Sequence, residues 1–526
     1  MLLSNIFCVF LLCCCLSLIW LQYLVGYDIF FIYGWLWVNN DGFIFSLGLD
    51  WYNYIFLGML LICGLMSLNY SLHYMGYNNY SGNSLYINMF AFLSIMILLS
   101  LSKNLLTGLL FWEYLGIVSF FLIVYYQNYY GLTASLITLI VSRIGDVLFF
   151  LLVGLYVFVY DGLNNGLIVS LFLVFFIVGS KSAMFPMSSW LLEAMRAPTP
   201  VSALVHSSTL VAAGVWFMST YYWYLSSYIN SLFLFSSCIV TIIVTGVCAC
   251  LMADSKKIVA LSTSNNVSWC ILYMVSGCTS LALLQLLVHG LGKCFFFILM
   301  GNNMSSNESA QNYMIFYNNS SIFGAGMNLI SVFCLAGVPF MGIYFSKHFF
   351  FSFLYGDISN ILVGLLLLIG YLLTNIYSVR LFILHFGSNG GLDYSYDFVF
   401  LLMVYLIPFI GLVCVYSVDS LIESVEGSSI LSYLLMIVLI IGGFLGAYVY
   451  NYSVYTQNLH GYGTSFGYMD LLIVSFLSVY RSLLGISSVG LYRWDYDIVN
   501  NFYSMFINNY LVLSGFSCLV ILCFLI

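Results

Sequence analysis

The 526 residues contain 11 Lys and Arg, 6 His and 5 Pro, yet the stretch KSAMFPMSSWLLEAMRAPTPVSALVH, residues 181–206, alone holds Lys181, Arg196, His206, Pro186, Pro198 and Pro200. A second segment, GVPFMGIYFSKH, sets Pro339 beside Lys347 and His348. Between them, LLQLLVHGLGKCFFFILM places Gln285, His289 and Lys293 at i, i+4 and i+8, one polar stripe on an otherwise apolar helix. Glu113 stands in LLTGLLFWEYLGIVSFFLI, and Arg143 and Asp146 stand in VSRIGDVLFF, three apart and so on one helix face. Groups of this kind in apolar surroundings suit proton or ion movement, because His changes charge near neutral pH and a buried Lys or carboxylate responds to its partner.

The rest of the chain says what holds them. It is 63% hydrophobic and 6% charged, whereas soluble chains carry roughly a quarter charged residues. Apolar runs of about 20 residues recur along the whole length, each enough to cross a hydrocarbon core of about 30 Å. This predicts an all-α polytopic membrane protein of about 14–16 crossings. The run MLLSNIFCVFLLCCCLSLIW lacks a basic region and a cleavage site, so it reads as a first span and not a signal peptide.

Placing a charge at the bilayer centre costs about 2.5–3.5 kcal/mol on insertion scales, so each buried ionisable residue is a functional candidate. Lys181 has no carboxylate three or four residues away, and Glu113 is its expected partner from another helix. If they pair, moving the partner away releases the proton of the lysine. Arg143 with Asp146, and Glu193 with Arg196, read as ion pairs that hold their own helices. Asp254, Lys256 and Lys257 stand at a span start, where solvation accounts for them. The stripe ending in Lys293 reads as the lining of a hydrated path, and Lys347 as a member of that path or a snorkelling anchor.

Two hydrophobic segments are both proline-interrupted and lysine-bearing, at Pro186 with Lys181 and at Pro339 with Lys347. Paired broken helices in two halves point to a transporter built on inverted repeats, with its working residues near the midplane. No basic patch serves nucleic acid or anionic lipid. The 15 Cys include no C-x-x-C, which argues against a metal or iron–sulfur site on this chain. No phosphate-binding loop or dinucleotide fingerprint is present.

These motifs are specific enough to mark a family. The chain resembles the subunit 5 family of proton-pumping NADH:ubiquinone oxidoreductase, respiratory complex I, from about Asp50 to Phe386. The resemblance rests on NYSLHYM (69–75), NLLTGLLFWEYLGIVSFFLI (104–123), SRIGD (142–146), the run from Lys181 through APTPVSALVHSSTLVAAG to Gly214, ADSKKIVALST (253–263) and GVPFMGIYFSK (337–347).

It implies two inverted five-helix repeats, each with a broken helix, around a central hydrophilic axis. Residues 1–103 would be N-terminal helices, 104–225 and 231–386 two half-channels, and 387–526 C-terminal helices. By this likeness Glu113 and Lys181 form a carboxylate/lysine pair, His206 borders their cavity, and Asp146 adjusts the pair. His289 and Lys293 lie on the axis and Lys347 is the second broken-helix lysine, with Arg143, Gln285, Lys256 and His348 in support. Gln285 stands where the family usually has histidine, and His348 where it often has aspartate. After YRWDYDIVNNFY (492–503) only 23 residues remain, which predicts a shortened lateral helix, its distal part absent or supplied by a separate polypeptide.

The function implied is proton translocation driven by remote redox chemistry in the mitochondrial inner membrane, in keeping with a composition typical of AT-rich organellar genomes. NADH, FMN, iron–sulfur clusters and ubiquinone would then sit in other subunits. The expected partners are antiporter-like subunit 4, accessory membrane-arm subunits and lipids, with no nucleic acid. Two other readings remain: the first, antiporter-like chain of a multi-subunit sodium/proton antiporter, and a non-conducting structural chain of the membrane arm.

Overall fold

The computed structural model describes residues 32–34, 45–48, 51–75, 80–158, 167–225, 231–252, 254–306, 322–338, 342–357, 361–386 and 429–453, with 482, 485 and 488. Apolar runs become helices because a backbone in lipid must satisfy its own hydrogen bonds. In chain order these are α1 (Trp51–Met75), α2 (Tyr80–Leu101), α3 (Leu105–Val124), α4 (Tyr129–Phe158), α5 (Leu167–Ser182) and the short α6 (Ser189–Ala194). The next span opens with a turn, Thr199–Val201, passes through π-helix Ser202–Thr209 and ends as α7 (Leu210–Leu225). Then come α8 (Ser231–Leu251), α9 (Ser255–Val275), α10 (Thr279–Ser306), α11 (Ile322–Ala336), α12 (Gly342–Asp357), α13 (Ile361–Phe386) and α14 (Ser429–Ser453).

Ten of the described helices are long and apolar enough to cross a membrane. Many of their serines and threonines are satisfied locally: Ser67, Ser119 and Thr241, like Ser180 of α5, each donate to the carbonyl three residues back. An all-α expectation held no strands, yet Ile32–Gly34 and Phe45–Leu47 form a small antiparallel ribbon, β1 and β2. It is tied to α2 where Gly48 N donates to Leu101 O at 2.8 Å.

Two successive sets of five spans run from α2 to α7 and from α8 to α13, and the fourth member of each is broken. An odd number of crossings leaves the chain on the opposite side, so the second set enters inverted. The first break follows Ala183, the second Gly337, and both residues have positive φ, 54° and 77°. At the second, the backbone amides of Gly337 and Val338 both return to Phe333 O, which closes α11 with a left-handed residue. Ala183 holds the same kind of turn without the freedom of glycine. Pro339 lies outside the described residues, between the end of α11 and the start of α12.

The span Thr199–Tyr221 and α9 are buried apart from their ends, and α10 nearly so, whereas α4 and α14 turn most of their apolar surface outward. The polar residues therefore sit on inner helices. Packing there relies on small residues, since hydrophobicity alone does not join helices in lipid. Gly214 of α7 faces Val178 O and Ser182 of α5 so closely that a side chain would collide. On α14, Gly442 and Gly446 are four apart and press against Leu372 O and Asn375, and against Ile376 O and Val379, of α13.

These elements fall within a unit spanning Met1–Thr464. In a second unit, Ser465–Ile526, the described residues Ser482, Gly485 and Ser488 are helical. The expected first span at MLLSNIFCVFLLCCCLSLIW and most of the expected C-terminal helices of 387–526 lie outside the described residues, as does the expected shortened lateral helix.

Candidate proton path

Lys181 ends α5 just before the first break and is almost completely buried. Its ammonium meets Asp146 Oδ1 of α4 at 3.2 Å, with both side chains 1% exposed. Glu113, the expected partner, is not the one it meets. The Glu113 carboxylate instead meets Arg143 Nη1 at 3.3 Å, and the same nitrogen lies 3.7 Å from Asp146 Oδ2. The four groups thus alternate in sign: Glu113, Arg143, Asp146, Lys181. Asp146 takes the lysine because it projects inward from α4, whereas Glu113 is 44% exposed on the outer side of α3.

Gly116, one turn beyond Trp112 on α3, stands beside Asp146, Ser142 and the Lys181 ammonium without filling their space. The lysine also lies 5.4 Å from the centre of the Trp112 ring, a distance at which cation and ring attract. Next to it a small cavity is lined by Ser119, Thr138, Ser142, Ser180, Trp190 and His206. Because those four hydroxyls donate to their own helices, the oxygens they turn to the cavity act as acceptors.

His206 sits in the π-helical segment, fully buried beside the Trp190 ring, and neither ring nitrogen bonds to a described residue. A π-segment often marks a functional site. Here it carries the cavity histidine.

Lys256, expected to be solvated, is buried instead. Its ammonium donates to Ala197 O at 3.1 Å and so joins the start of α9 to the APTP turn, while Lys257 pairs with Asp254 at 3.0 Å. Glu193 and Arg196 form the expected pair at 2.8 Å.

The central stripe is buried throughout: Gln285, His289 and Lys293 face inward from α10. Lys293 donates to Val259 O at 3.3 Å and to the Ser262 hydroxyl, both on α9. Gln285 Oε1 accepts from Ser346 Oγ at 2.7 Å, which carries the stripe to α12, one residue from Lys347.

Lys347 donates to Thr374 Oγ1 at 3.0 Å and lies 4.9 Å from the Tyr371 ring and 5.7 Å from Trp269. Among the described residues no carboxylate comes within 4.0 Å of Lys293 or Lys347. His348 turns away by one residue and packs on Tyr344 and Phe349, half-buried.

One buried cation was not among the sequence candidates. Arg380 of α13 is fully buried and donates to Ala249 O at 3.1 Å, among the last carbonyls of α8. Those carbonyls lack helical partners and favour a cation. The signal was present, an arginine inside the apolar run of ILVGLLLLIGYLLTNIYSVRLFILHF. Among the described residues no three His, Cys, Asp or Glu converge as a metal site would require.

A polar row threading two broken helices through an inverted pair of repeats now has a counterpart among known proteins. Residues 102–374 match the family described as NADH:quinone oxidoreductase/Mrp antiporter, transmembrane. The chain belongs to this family. Among curated members, NADH-ubiquinone oxidoreductase chain 5 of Locusta migratoria is 29% identical over 90% of each chain. That of Mytilus edulis is 34% identical over 67% of this chain and 64% of its own. Among solved structures, a chain of the Mrp complex from a Dietzia species superposes with a TM-score of 0.76 at 20% identity, over 96% of this chain and 59% of that one. The family membership and the described spans make this a multi-pass membrane protein.

Proposed function

We propose that this chain is a proton-translocating, antiporter-like subunit of NADH:ubiquinone oxidoreductase in the mitochondrial inner membrane. The observation that carries the reading is the row of buried cations on inner helices, Lys181, Lys293 and Lys347, of which only the first has a carboxylate partner among the described residues. Such charges are costly in a membrane unless they work.

In this reading the two five-span sets, α2–α7 and α8–α13, are two half-channels, the first beginning at Tyr80 and not at the expected residue 104. A charge change in a neighbouring subunit draws Asp146 away from Lys181, the released proton enters the cavity beside His206, and a proton on Lys293 passes toward Lys347. Each charge moved against 100 mV costs about 2.3 kcal/mol, and that work comes from electron transfer elsewhere. NADH, flavin, iron–sulfur clusters and ubiquinone belong to other subunits.

The position of Glu113 supports a partner. The Glu113/Arg143 pair is part-exposed between Leu110, Tyr114, Ile117, Ile140 and Val147, all turned outward. A charge pair at that depth is costly against lipid, which suits coverage by a neighbouring antiporter-like subunit.

The Mrp likeness favours a second reading, the first chain of a multi-subunit sodium/proton antiporter. Native membranes solubilised in mild detergent and run on a native gel decide between them. Co-migration with NADH-oxidising activity in one large band supports the respiratory complex. A smaller band without that activity, with transport stimulated by sodium, overturns it.

A further inference from the structure

Lys293 sets the register between α9 and α10. Since it reaches Val259 O and the Ser262 hydroxyl, it lies level with the first turns of α9. The two helices are antiparallel neighbours joined by a short turn, so each turn back along α10 meets the next turn forward along α9. One turn back from Lys293 is His289, and one turn on from Ser262 is Asn266. A further turn brings Gln285 level with Trp269. This agrees with the contacts through α12, where Gln285 bonds Ser346 and the next residue, Lys347, lies 5.7 Å from the centre of the Trp269 ring. Helical spacing from Lys293 and Ser262 therefore puts His289 level with Asn266.

Asn266 has an oddity that this placement explains. It is fully buried, and neither its Oδ1 nor its Nδ2 bonds to a described residue, while His289 Nε2 is also without a described partner. Leaving a buried polar group unpaired is destabilising, so such a group is expected to have a partner. Its neighbour Asn265 differs in that its amide nitrogen is used, donating to Ile242 O at 2.9 Å and reaching Thr245, while its Oδ1 bonds to no described residue.

We propose that Asn266 is a positioning residue of the proton path, holding the His289 imidazole through one water between Lys293 and Lys347. The proposal rests on the translocation reading above. An amide is both donor and acceptor, so it serves the protonated and the bare ring nitrogen in turn without itself gaining or losing a proton. In the transfer one N–H bond breaks at Lys293 and one forms at Lys347. His289 takes a proton and gives one up, and Gln285 takes none.

The test measures protons pumped per NADH oxidised in vesicles holding the assembled complex. Asn266→Leu, of similar size but apolar, lowers pumping about tenfold, within the range a misplaced reacting group costs. Asn266→Gln restores most of it. Asn266→Leu combined with His289→Gln is no worse than His289→Gln alone, because the two act as one unit. Wild-type pumping in Asn266→Leu, or losses that multiply in the double variant, overturns the proposal.

Lys293→Met in the same vesicles separates this proposal from its parent. If that variant pumps normally, both fall; if it is impaired and Asn266→Leu is not, the proposal alone falls. Where leucine lowers the assembled amount, Asn266→Ala normalised per complex gives the same decision, and wild-type pumping in it again overturns the proposal.

Discussion

The two broken helices hold their lysines in opposite ways. Lys181 precedes its break and closes an alternating row of four charges with Asp146, Arg143 and Glu113. Lys347 follows its break and meets a hydroxyl and two aromatic rings, Thr374, Tyr371 and Trp269. Taking a proton from Lys181 leaves two carboxylates facing one arginine. Taking one from Lys347 strands no described carboxylate. The first site is thus built to feel a change in neighbouring charge, and the second to exchange a proton with little rearrangement.

This contrast can be broken most sharply at Asp146. Asp146→Leu removes one partner of a buried pair and leaves Lys181 uncompensated, while Arg143 keeps Glu113, and this costs about 3–5 kcal/mol. The expected outcome is a marked fall in the thermal stability of the assembled complex, followed by calorimetry or by loss of activity on heating. Asp146→Leu with Lys181→Met recovers much of the loss, because the lone buried ammonium is gone. If the double variant is as unstable as the single one, the pair is not what holds the site.

At the second site, Tyr371→Leu removes one face of the aromatic surround. Desolvated cation–ring contacts contribute up to about 2 kcal/mol, so a smaller loss of stability is expected, together with slower pumping. A change in stability as large as that of Asp146→Leu would erase the distinction between the sites. Glu113→Gln acts on a part-exposed pair, and about 1 kcal/mol or less is expected for the isolated chain. A larger effect in the assembled complex than in the isolated chain would indicate that a neighbour covers this face.

The smallest effect belongs to Gln285→His. It exchanges the bond from Ser346, worth about 1 kcal/mol, for a group that can carry a proton. Pumping at or slightly above the wild-type ratio is expected, and a collapse would mean that Gln285 does more than bridge α10 to α12.

Much of this arrangement was legible in the residues. Charges are so scarce that Lys181, Lys293 and Lys347 had to stand out, and proline beside lysine marked both interrupted segments. The Gln285, His289 and Lys293 stripe followed from helical spacing alone.

Partner choice was not legible. Asp146 is three residues from Arg143 and looked satisfied within its own helix, but a carboxylate has two oxygens, and the second reaches Lys181 across to α5. Lys256 looked solvated because it opens a span, yet the APTP turn folds back over it. The π-helical segment at His206 leaves no periodic signature over eight residues. The β1/β2 ribbon was hidden because its short strands share the apolar composition of the spans.

The most direct test of the account is the number of protons pumped per electron in membranes carrying Lys347→Ala, measured alongside the amount of assembled complex. The account predicts normal assembly, since the described residues give Lys347 no ion pair to lose, and a clearly lowered ratio. Pumping at the wild-type ratio with the lysine gone would contradict it.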